Sequence, residues 1–130
     1  MSFKANGTQV NYKTIGAIVA TFSNNSSEYL GAFSGYDATS NMNLQVYDGA
    51  TITTKNYSGY TAAGNGLIGV LIGYQGDSGT LCSEAGDDAP ATVTSISETS
   101  VSGTFSGTIK ADRKADIAIT NGKFTLQRFN

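Results

Sequence analysis

A strictly alternating stretch of nine residues constrains the fold more than any other feature of this chain. From Val101 to Ile109, apolar residues or glycines stand at every odd position and Ser or Thr at every even one. Successive side chains of a strand point to opposite faces, so the pattern predicts an antiparallel strand with one buried face and one hydroxyl-rich wet face. The residues predicted to be buried are Val101, Phe105 and Ile109, and those predicted to face solvent or a wet cavity are Ser102, Thr104, Ser106 and Thr108.

The same two-residue spacing recurs between clusters of Gly, Asn, Asp and Ser, and no segment of useful length has a helical period. Asn6–Gly7 and Asn121–Gly122 are the strongest hairpin signals, because both residue types tolerate the positive φ of a type I′ turn, and Asp48–Gly49 is a third. Residues 100–129 are therefore predicted to form a three-stranded antiparallel meander, with Asn121–Gly122 at the tip of its last hairpin. Strands are predicted near residues 2–5, 8–14, 16–22, 28–34, 42–47, 50–54, 67–74, 91–97, 100–109, 115–120 and 123–129.

Glycine has a positional meaning in two of these segments. Gly103 and Gly107 flank Phe105, where they would leave room for rings from a facing layer or permit a bend or bulge. The segment 66–74 is nearly continuous apolar residues and glycine, which predicts the most buried central strand. The segment from Thr80 to Pro90 has no clear period and is predicted to be the longest loop.

The composition agrees with a single all-β domain spanning residues 1–130. Only 14% of the residues are charged, against roughly 25% in typical domains. The 7 Tyr and 6 Phe stand among many Thr, Val and Ile, a mixture that suits strands and argues against disorder. We therefore expect an antiparallel β-sandwich or flattened β-barrel of about ten strands.

Charge and residue content exclude several functions. The net charge is -2, and no stretch has the basic density that phosphate neutralisation requires, which argues against nucleic-acid binding. No apolar run approaches the ~18 residues of a membrane span. The chain has no His, which removes Ser-His-Asp and Cys-His catalysis and the commonest metal ligand. We predict that the protein is not an enzyme and carries no cofactor.

Two isolated motifs are explained more simply by a structural role than by catalysis or cofactor binding. The run Gly64–Gly69 matches the dinucleotide-binding glycine pattern, but a strand leaves it where a helix would be needed, so turn and strand glycines explain it better. Cys82 is the single cysteine, which rules out an intrachain disulfide and predicts a small buried apolar residue.

Two groups of residues are candidates for binding. Tyr57 and Tyr60 flank Ser58–Gly59 on a predicted loop that could present both rings on one rim to a glycan or protein; the alternative is that the rings pack over the end of the core. Glu84, Asp87 and Asp88 are the candidates for Ca²⁺ or for a catalytic carboxylate pair, but their spacing fits no EF-hand and a solvated acidic loop is the simpler interpretation. The other tyrosines considered as sugar-stacking rings are Tyr29, Tyr36, Tyr47 and Tyr74.

Four segments resemble a known family. They are Phe3–Gly7, Thr92–Ile96, Val101–Ile109 and the run Ile119-Thr-Asn-Gly-Lys-Phe124. They resemble the opening strand and the C-terminal part of small β-rich domains in predicted lipoproteins of Bacteroidetes. That family has no established activity, so the resemblance implies no functional residue. It implies a location in the periplasm or on the cell surface, as a mature domain cut from a lipid-anchored N-terminus. Because no signal peptide is visible, a cytoplasmic location is the alternative.

These observations lead to one expected function and two alternatives. The expected function is a non-enzymatic cell-envelope or surface domain that binds a glycan or a protein partner. The alternatives are a small-ligand carrier of the β-barrel type and a structural module of a larger extracellular assembly. A closed barrel with an internal cavity would favour the carrier, whereas a filled sandwich core would favour surface binding.

Overall fold

The regular secondary structure of the described residues consists of β-strands, with no helix. The computed structural model describes residues 1–13, 18–25, 28–63, 66–76, 79–82, 89–109 and 116–128. Within these ranges the strands are β1 (Ser2–Ala5), β2 (Thr8–Asn11), β3 (Ile18–Asn25), β4 (Glu28–Tyr36), β5 (Asn41–Asp48), β6 (Asn56–Tyr57), β7 (Tyr60–Ala63), β8 (Gly66–Gly76), β9 (Gly79–Cys82), β10 (Ala91–Ile96), β11 (Ser100–Ile109) and β12 (Ile117–Arg128).

The strands form two antiparallel sheets. The first sheet has the order β2-β1-β12-β11-β10-β6. The second has the order β3-β4-β5-β8, with β7 and β9 both paired to the outer edge of β8. The sheets meet where the end of β12 runs parallel to β3, with Gln127 opposite Val19 and Arg128 opposite Ala20. The arrangement is sandwich-like and does not close into a barrel, which confirms the all-β prediction and favours its sandwich form.

Aromatic rings fill the space between the two sheets. Phe33 of β4 stacks on Phe124 of β12 with ring centroids 4.9 Å apart. Phe3 of β1 meets Tyr74 of β8 edge-on at 5.6 Å, and it also contacts Phe105 of β11 at 6.0 Å. These rings join one sheet to the other, so the core is shared between them.

The alternation along β11 is confirmed. Val101, Phe105 and Ile109 are buried. On the opposite face Thr104 is exposed, and the outward hydroxyl residues Ser102, Ser106 and Thr108 are half-buried.

Two glycines in the first sheet make room for rings of the neighbouring strand. Gly103 lies opposite Phe124, and Phe105 lies opposite Gly122. A methyl group at Gly103 would overlap the Phe124 ring, and one at Gly122 would overlap the Phe105 ring. The expected space beside Phe105 therefore exists at Gly103, but a ring of the same sheet occupies it and not one of a facing layer. The alternative, a bulge, describes Gly107, because the register of β11 and β12 shifts between Phe105 and Gly107.

The predicted hairpin at Asn121–Gly122 is wrong, because β12 runs through it without turning. Between the register pairs Phe105–Gly122 and Gly107–Ile119, β12 contains one residue more than β11. The pairing with β1 shows the same irregularity. Asn121 has a φ of 52°, so its left-handed conformation serves a β-bulge where a turn was expected. The described residues of this segment, 100–109 and 116–128, thus form two strands where the meander would need three.

The other turn signals had different outcomes. Asn6 and Gly7 have φ values of 48° and 83° and join β1 to β2, so this predicted hairpin is confirmed. Asp48–Gly49 ends β5 without forming a hairpin. The predicted strand at 50–54 is wrong: the chain is a loop there and pairs again only as β6, on β10.

The strand β8, predicted to be the central strand, lies next to the outer edge of the second sheet. It pairs with β5 on one side and with β7 and β9 on the other. Neither short strand was predicted, and three of the four residues of β9 fall in the segment predicted as the longest loop. Val70 and Ile72 of β8 are buried, whereas Leu71 between them is half-buried.

Candidate functional site

Tyr57 is not an exposed ring. Only 5% of its surface is accessible, because its backbone pairs with the buried Ala91 and its side chain points into the core. Its hydroxyl accepts a hydrogen bond from the Thr53 amide at 2.9 Å and donates one to the Thr53 carbonyl at 3.0 Å. The expected exposure of the Tyr57 ring is therefore wrong, and the alternative, a ring that packs over the end of the core, describes it.

The remaining predicted site residues lie outside what the structure describes. The strand that contains Tyr60 is placed, but its side chain is not among the described ones, and the same holds for Cys82. Glu84, Asp87 and Asp88 all fall in the range 83–88, which is outside the described residues.

Tyr36 is the large hydrophobic residue that the described side chains leave exposed, with 54% of its surface accessible. It is the last residue of β4 and lies opposite Asn41, the first residue of β5. Its neighbours on this outward face are Ser34 and Asn43, which are hydrogen-bonded to each other at 3.3 Å. The ring thus stands at the end of the second sheet beside a group of polar side chains.

The turn after Tyr36 is held by one carboxylate oxygen. Oδ1 of Asp37 accepts hydrogen bonds from the amides of Thr39 and Ser40, both at 2.8 Å. It also accepts bonds from the hydroxyls of the same two residues, at 3.1 Å and 3.3 Å. These donors lower the pKa of Asp37 below its ordinary value, with the Thr39 amide contributing most. The carboxylate is therefore ionised at neutral pH.

Tyr12 ties this turn to the core. Its hydroxyl lies 2.7 Å from Oγ of Ser40, and its ring packs edge-on against Phe3 with centroids 5.7 Å apart. Burial raises the pKa of Tyr12 to about 12, so its hydroxyl stays protonated at neutral pH. The turn after Tyr36 is therefore connected to the core through the Tyr12 side chain.

A cleft of about 620 Å³ opens beside the exposed ring, and we name it the Tyr36 cleft. A smaller cleft of about 240 Å³ lies beyond the same turn and includes Gln9 and Tyr74. The Tyr36 cleft combines an aromatic face with a carboxylate, amides and hydroxyls, which are the groups that orient polar ligands in concave sites. Its lining residues that carry these groups are Ser34, Tyr36, Asp37, Thr39, Ser40, Asn41 and Asn43.

Other kinds of site find no support within the described ranges. No group of three or more Cys, Asp or Glu residues there is arranged to hold a metal ion. Nor do these ranges contain a helix whose length and apolar character would let it cross a membrane.

Comparison with known proteins reveals no relative: no protein-family model matches the chain, and no curated protein and no solved structure matches it. The case for a function therefore depends on the chemistry of the described residues.

From the sequence, Tyr36 is one of several tyrosines that could stack on a sugar, and Tyr57 and Tyr60 are the favoured pair. The signal that would have favoured Tyr36 follows it directly, since Asp37 is succeeded by Thr39 and Ser40. An Asp whose side chain can accept bonds from the amides two and three residues later predicts an Asx-type turn. Such a turn ends the strand at Tyr36 and leaves its ring at the tip of the sheet.

Proposed function

We propose that this protein is a non-enzymatic cell-envelope or surface domain that binds a glycan in the Tyr36 cleft. One observation carries the proposal: an exposed aromatic ring lines a 620 Å³ cleft whose lining also includes a carboxylate, hydroxyls and amides. A sugar ring has an apolar face and hydroxyl edges, so it matches a site that offers a ring beside hydrogen-bonding groups.

The carboxylate of Asp37 is suited to accept a hydrogen bond from the hydroxyl edge of a sugar ring. All hydrogen bonds that the structure gives this side chain use Oδ1, which leaves Oδ2 to accept a bond from a sugar hydroxyl. Because the turn already fixes the carboxylate, little conformational entropy is lost when a ligand binds. Charge-assisted hydrogen bonds of this kind are also stronger than neutral ones.

Surface binding is better supported than the carrier alternative. The space between the sheets is filled by the rings of Phe3, Phe33, Phe105 and Phe124, whereas a carrier needs an internal cavity. The clefts described above lie at the surface. The proposed envelope location is supported by the resemblance of the chain to β-rich lipoprotein domains of Bacteroidetes.

A glycan array followed by calorimetric titration tests this function. We expect Tyr36→Ala to weaken the binding of the best array ligand by about tenfold or more, which corresponds to about 1.4 kcal/mol. Tyr36→Phe keeps the ring and should retain most of the affinity. Glu98→Gln, in an exposed turn outside the cleft, is the matched control.

Two results would refute the glycan proposal. One is an array on which the folded wild-type protein binds no glycan. The other is unchanged affinity in Tyr36→Ala, verified as folded by circular dichroism, because the exposed ring would then take no part in recognition.

A further inference from the structure

A row of polar side chains crosses the outer face of the first sheet. Each member lies directly opposite the next on the neighbouring strand, so the row runs perpendicular to the strands. At its end, the Thr92 hydroxyl donates a hydrogen bond of 2.7 Å to Oδ1 of Asn56. We name it the polar row; its members are Asn11, Ser2, Lys123, Thr104, Thr92 and Asn56.

The polar row is long enough for a polymer. It crosses six strands, and at a spacing of about 4.8 Å between neighbours its length is about 24 Å. A cleft of about 680 Å³ follows it, from Gln9 on β2 to Thr92 on β10. The bulge residue Asn121 forms part of the wall of this cleft.

The charge along the row is positive, and no described residue neutralises it. Lys123 is exposed near its middle and forms no ion pair with any described residue. A second cleft of about 290 Å³ shares Lys123 with the first and adds Lys13. No described Asp or Glu lines either cleft. Lys55, by contrast, is paired with Asp48.

We propose that the polar row binds an acidic polysaccharide that lies across the strands. The Lys123 ammonium pairs with a carboxylate or sulfate of the polymer, while hydroxyl and amide groups on either side of it bond to sugar hydroxyls. This site lies on the first sheet, whereas Tyr36 belongs to the second, so the inference does not depend on the Tyr36 cleft.

The chemistry of the row favours a polysaccharide over a nucleic acid. Nucleic-acid binding requires several cations to neutralise successive phosphates, and here only Lys123 and Lys13 line the clefts. Single-stranded nucleic acids also need exposed aromatic rings on which bases stack, and the row contains none. Its uncharged majority of hydroxyl and amide groups matches the hydroxyl groups of sugars.

Affinity electrophoresis with polygalacturonate, dextran sulfate and neutral dextran tests the proposal. We expect at least one acidic polymer to retard the wild-type protein and neutral dextran not to do so. Which acidic polymer binds distinguishes a carboxylate from a sulfate ligand. Raising the NaCl concentration from about 50 to about 500 mM should weaken the retardation, because salt screens exposed charges.

Variants inside and outside the polar row test whether the acidic polymer binds there. Lys123→Gln should raise the dissociation constant about tenfold, and Thr104→Val, which removes one hydroxyl, about threefold. Lys55→Gln is the matched control, since it removes a lysine that is already ion-paired, and it should bind as the wild type does. Tyr36→Ala should also bind normally, which separates this site from the Tyr36 cleft.

Four outcomes would overturn the inference. They are no retardation by either acidic polymer, equal retardation by dextran, unchanged binding in Lys123→Gln, and tighter binding of a short DNA than of the polysaccharides. Circular dichroism of each variant establishes that a loss of binding does not reflect unfolding.

Discussion

At the scale of single residues, the strand register determines whether a side chain lies in the core or at the surface. Tyr57 and Tyr36 are the same residue type, and each ends a strand. Tyr57 lies opposite the buried Ala91 and points inward. Tyr36 lies opposite the exposed Asn41 and points outward. The same alternation separates Phe105, which is in the core, from its exposed neighbour Thr104.

Truncation of Phe105 should be costly. Only 4% of its surface is accessible, and its ring contacts Phe3 and Phe124. We expect Phe105→Ala to lower the free energy of unfolding by about 3–5 kcal/mol. Thr104→Ala, at the adjacent exposed position, should change it by about 0.5 kcal/mol or less. Urea denaturation measures both, and a loss under about 1 kcal/mol in Phe105→Ala would contradict the role assigned to this ring.

Tyr12 should make the protein sensitive to alkaline pH. Its pKa is about 12 in the folded protein, because burial raises it, and is about 10 in the unfolded chain. The folded state therefore favours the neutral hydroxyl. This contribution to stability is fully present below about pH 10 and is lost as the pH rises toward about 12.

The variant Tyr12→Phe tests this pH dependence. At neutral pH it should lower the free energy of unfolding by about 1 kcal/mol, since the bond to Ser40 is lost. Between about pH 9 and about pH 11.5 its stability should fall less steeply than that of the wild type, because the group that titrates is absent. Parallel pH profiles of unfolding for the two proteins would show that Tyr12 titrates as it does in the unfolded chain.

At the scale of elements, β12 organises the first sheet. It pairs with β1 on one side and β11 on the other, and the bulge at Asn121 interrupts both ladders. Next to the bulge, Phe105 covers Gly122, and two positions along the strands Phe124 covers Gly103. These glycine–aromatic pairs allow rings to lie flat against the sheet in the core.

Side chains at Gly103 or Gly122 should destabilise the sheet. A β-carbon at either position would overlap both a ring and a backbone carbonyl. We expect Gly103→Ala and Gly122→Ala each to cost about 1–3 kcal/mol or more, and Gly122→Val to cost more again. The matched control is Gly49→Ala, where a β-carbon meets open space. Thermal melts that rank Gly122→Ala with Gly49→Ala would rule out the close contact with Phe105.

The conformation of Asn121 gives a separate prediction. Its φ of 52° is costly for a β-branched residue and free for glycine. Asn121→Gly should therefore be tolerated, whereas Asn121→Val should lower the free energy of unfolding by about 1–2 kcal/mol. Thr120→Val, at the exposed preceding position, controls for placing an apolar β-branched side chain on the exposed face of the strand. Equal effects of the two valine variants would contradict a left-handed residue at 121.

At the scale of the whole molecule, the two sheets depend on one core. Among the described residues, direct pairing between them is limited to two register pairs of β12 and β3, so they are joined mainly through the buried side chains of the shared core. Phe33 on Phe124 and Phe3 on Tyr74 each connect the first sheet to the second. Neither sheet buries its inner face without the other, which predicts that both unfold together.

A double-mutant cycle measures this coupling. Phe33→Leu and Phe124→Leu should each destabilise the protein, and the double variant should lose about 0.5–1.5 kcal/mol less than their sum, because the stacked pair is lost only once. Urea unfolding followed by far-ultraviolet circular dichroism and by tyrosine fluorescence should give coincident curves. Separate transitions would mean that the sheets are independent units.

Features that depend on neighbouring residues could be predicted from the amino-acid order alone. The two-residue alternation predicted the strand class and the burial of Val101, Phe105 and Ile109. The tendency of Asn6–Gly7 toward positive φ predicted the first hairpin. Both follow from local stereochemistry, since a strand presents alternate side chains to opposite faces and only a few residue types tolerate a left-handed conformation.

Features that depend on partners distant in the chain could not be predicted in this way. Asn121–Gly122 has the local preferences of a hairpin, but β1, from the other end of the chain, pairs with β12 on both sides of this dipeptide and keeps the strand continuous. In the same way, pairing with β10 turned the Tyr57 ring inward, and the end of β4 left Tyr36 outside. A left-handed asparagine suits a turn or a bulge, and a tyrosine suits a core or a surface. The partner strand selects between them, and its position is not encoded in the residues beside it.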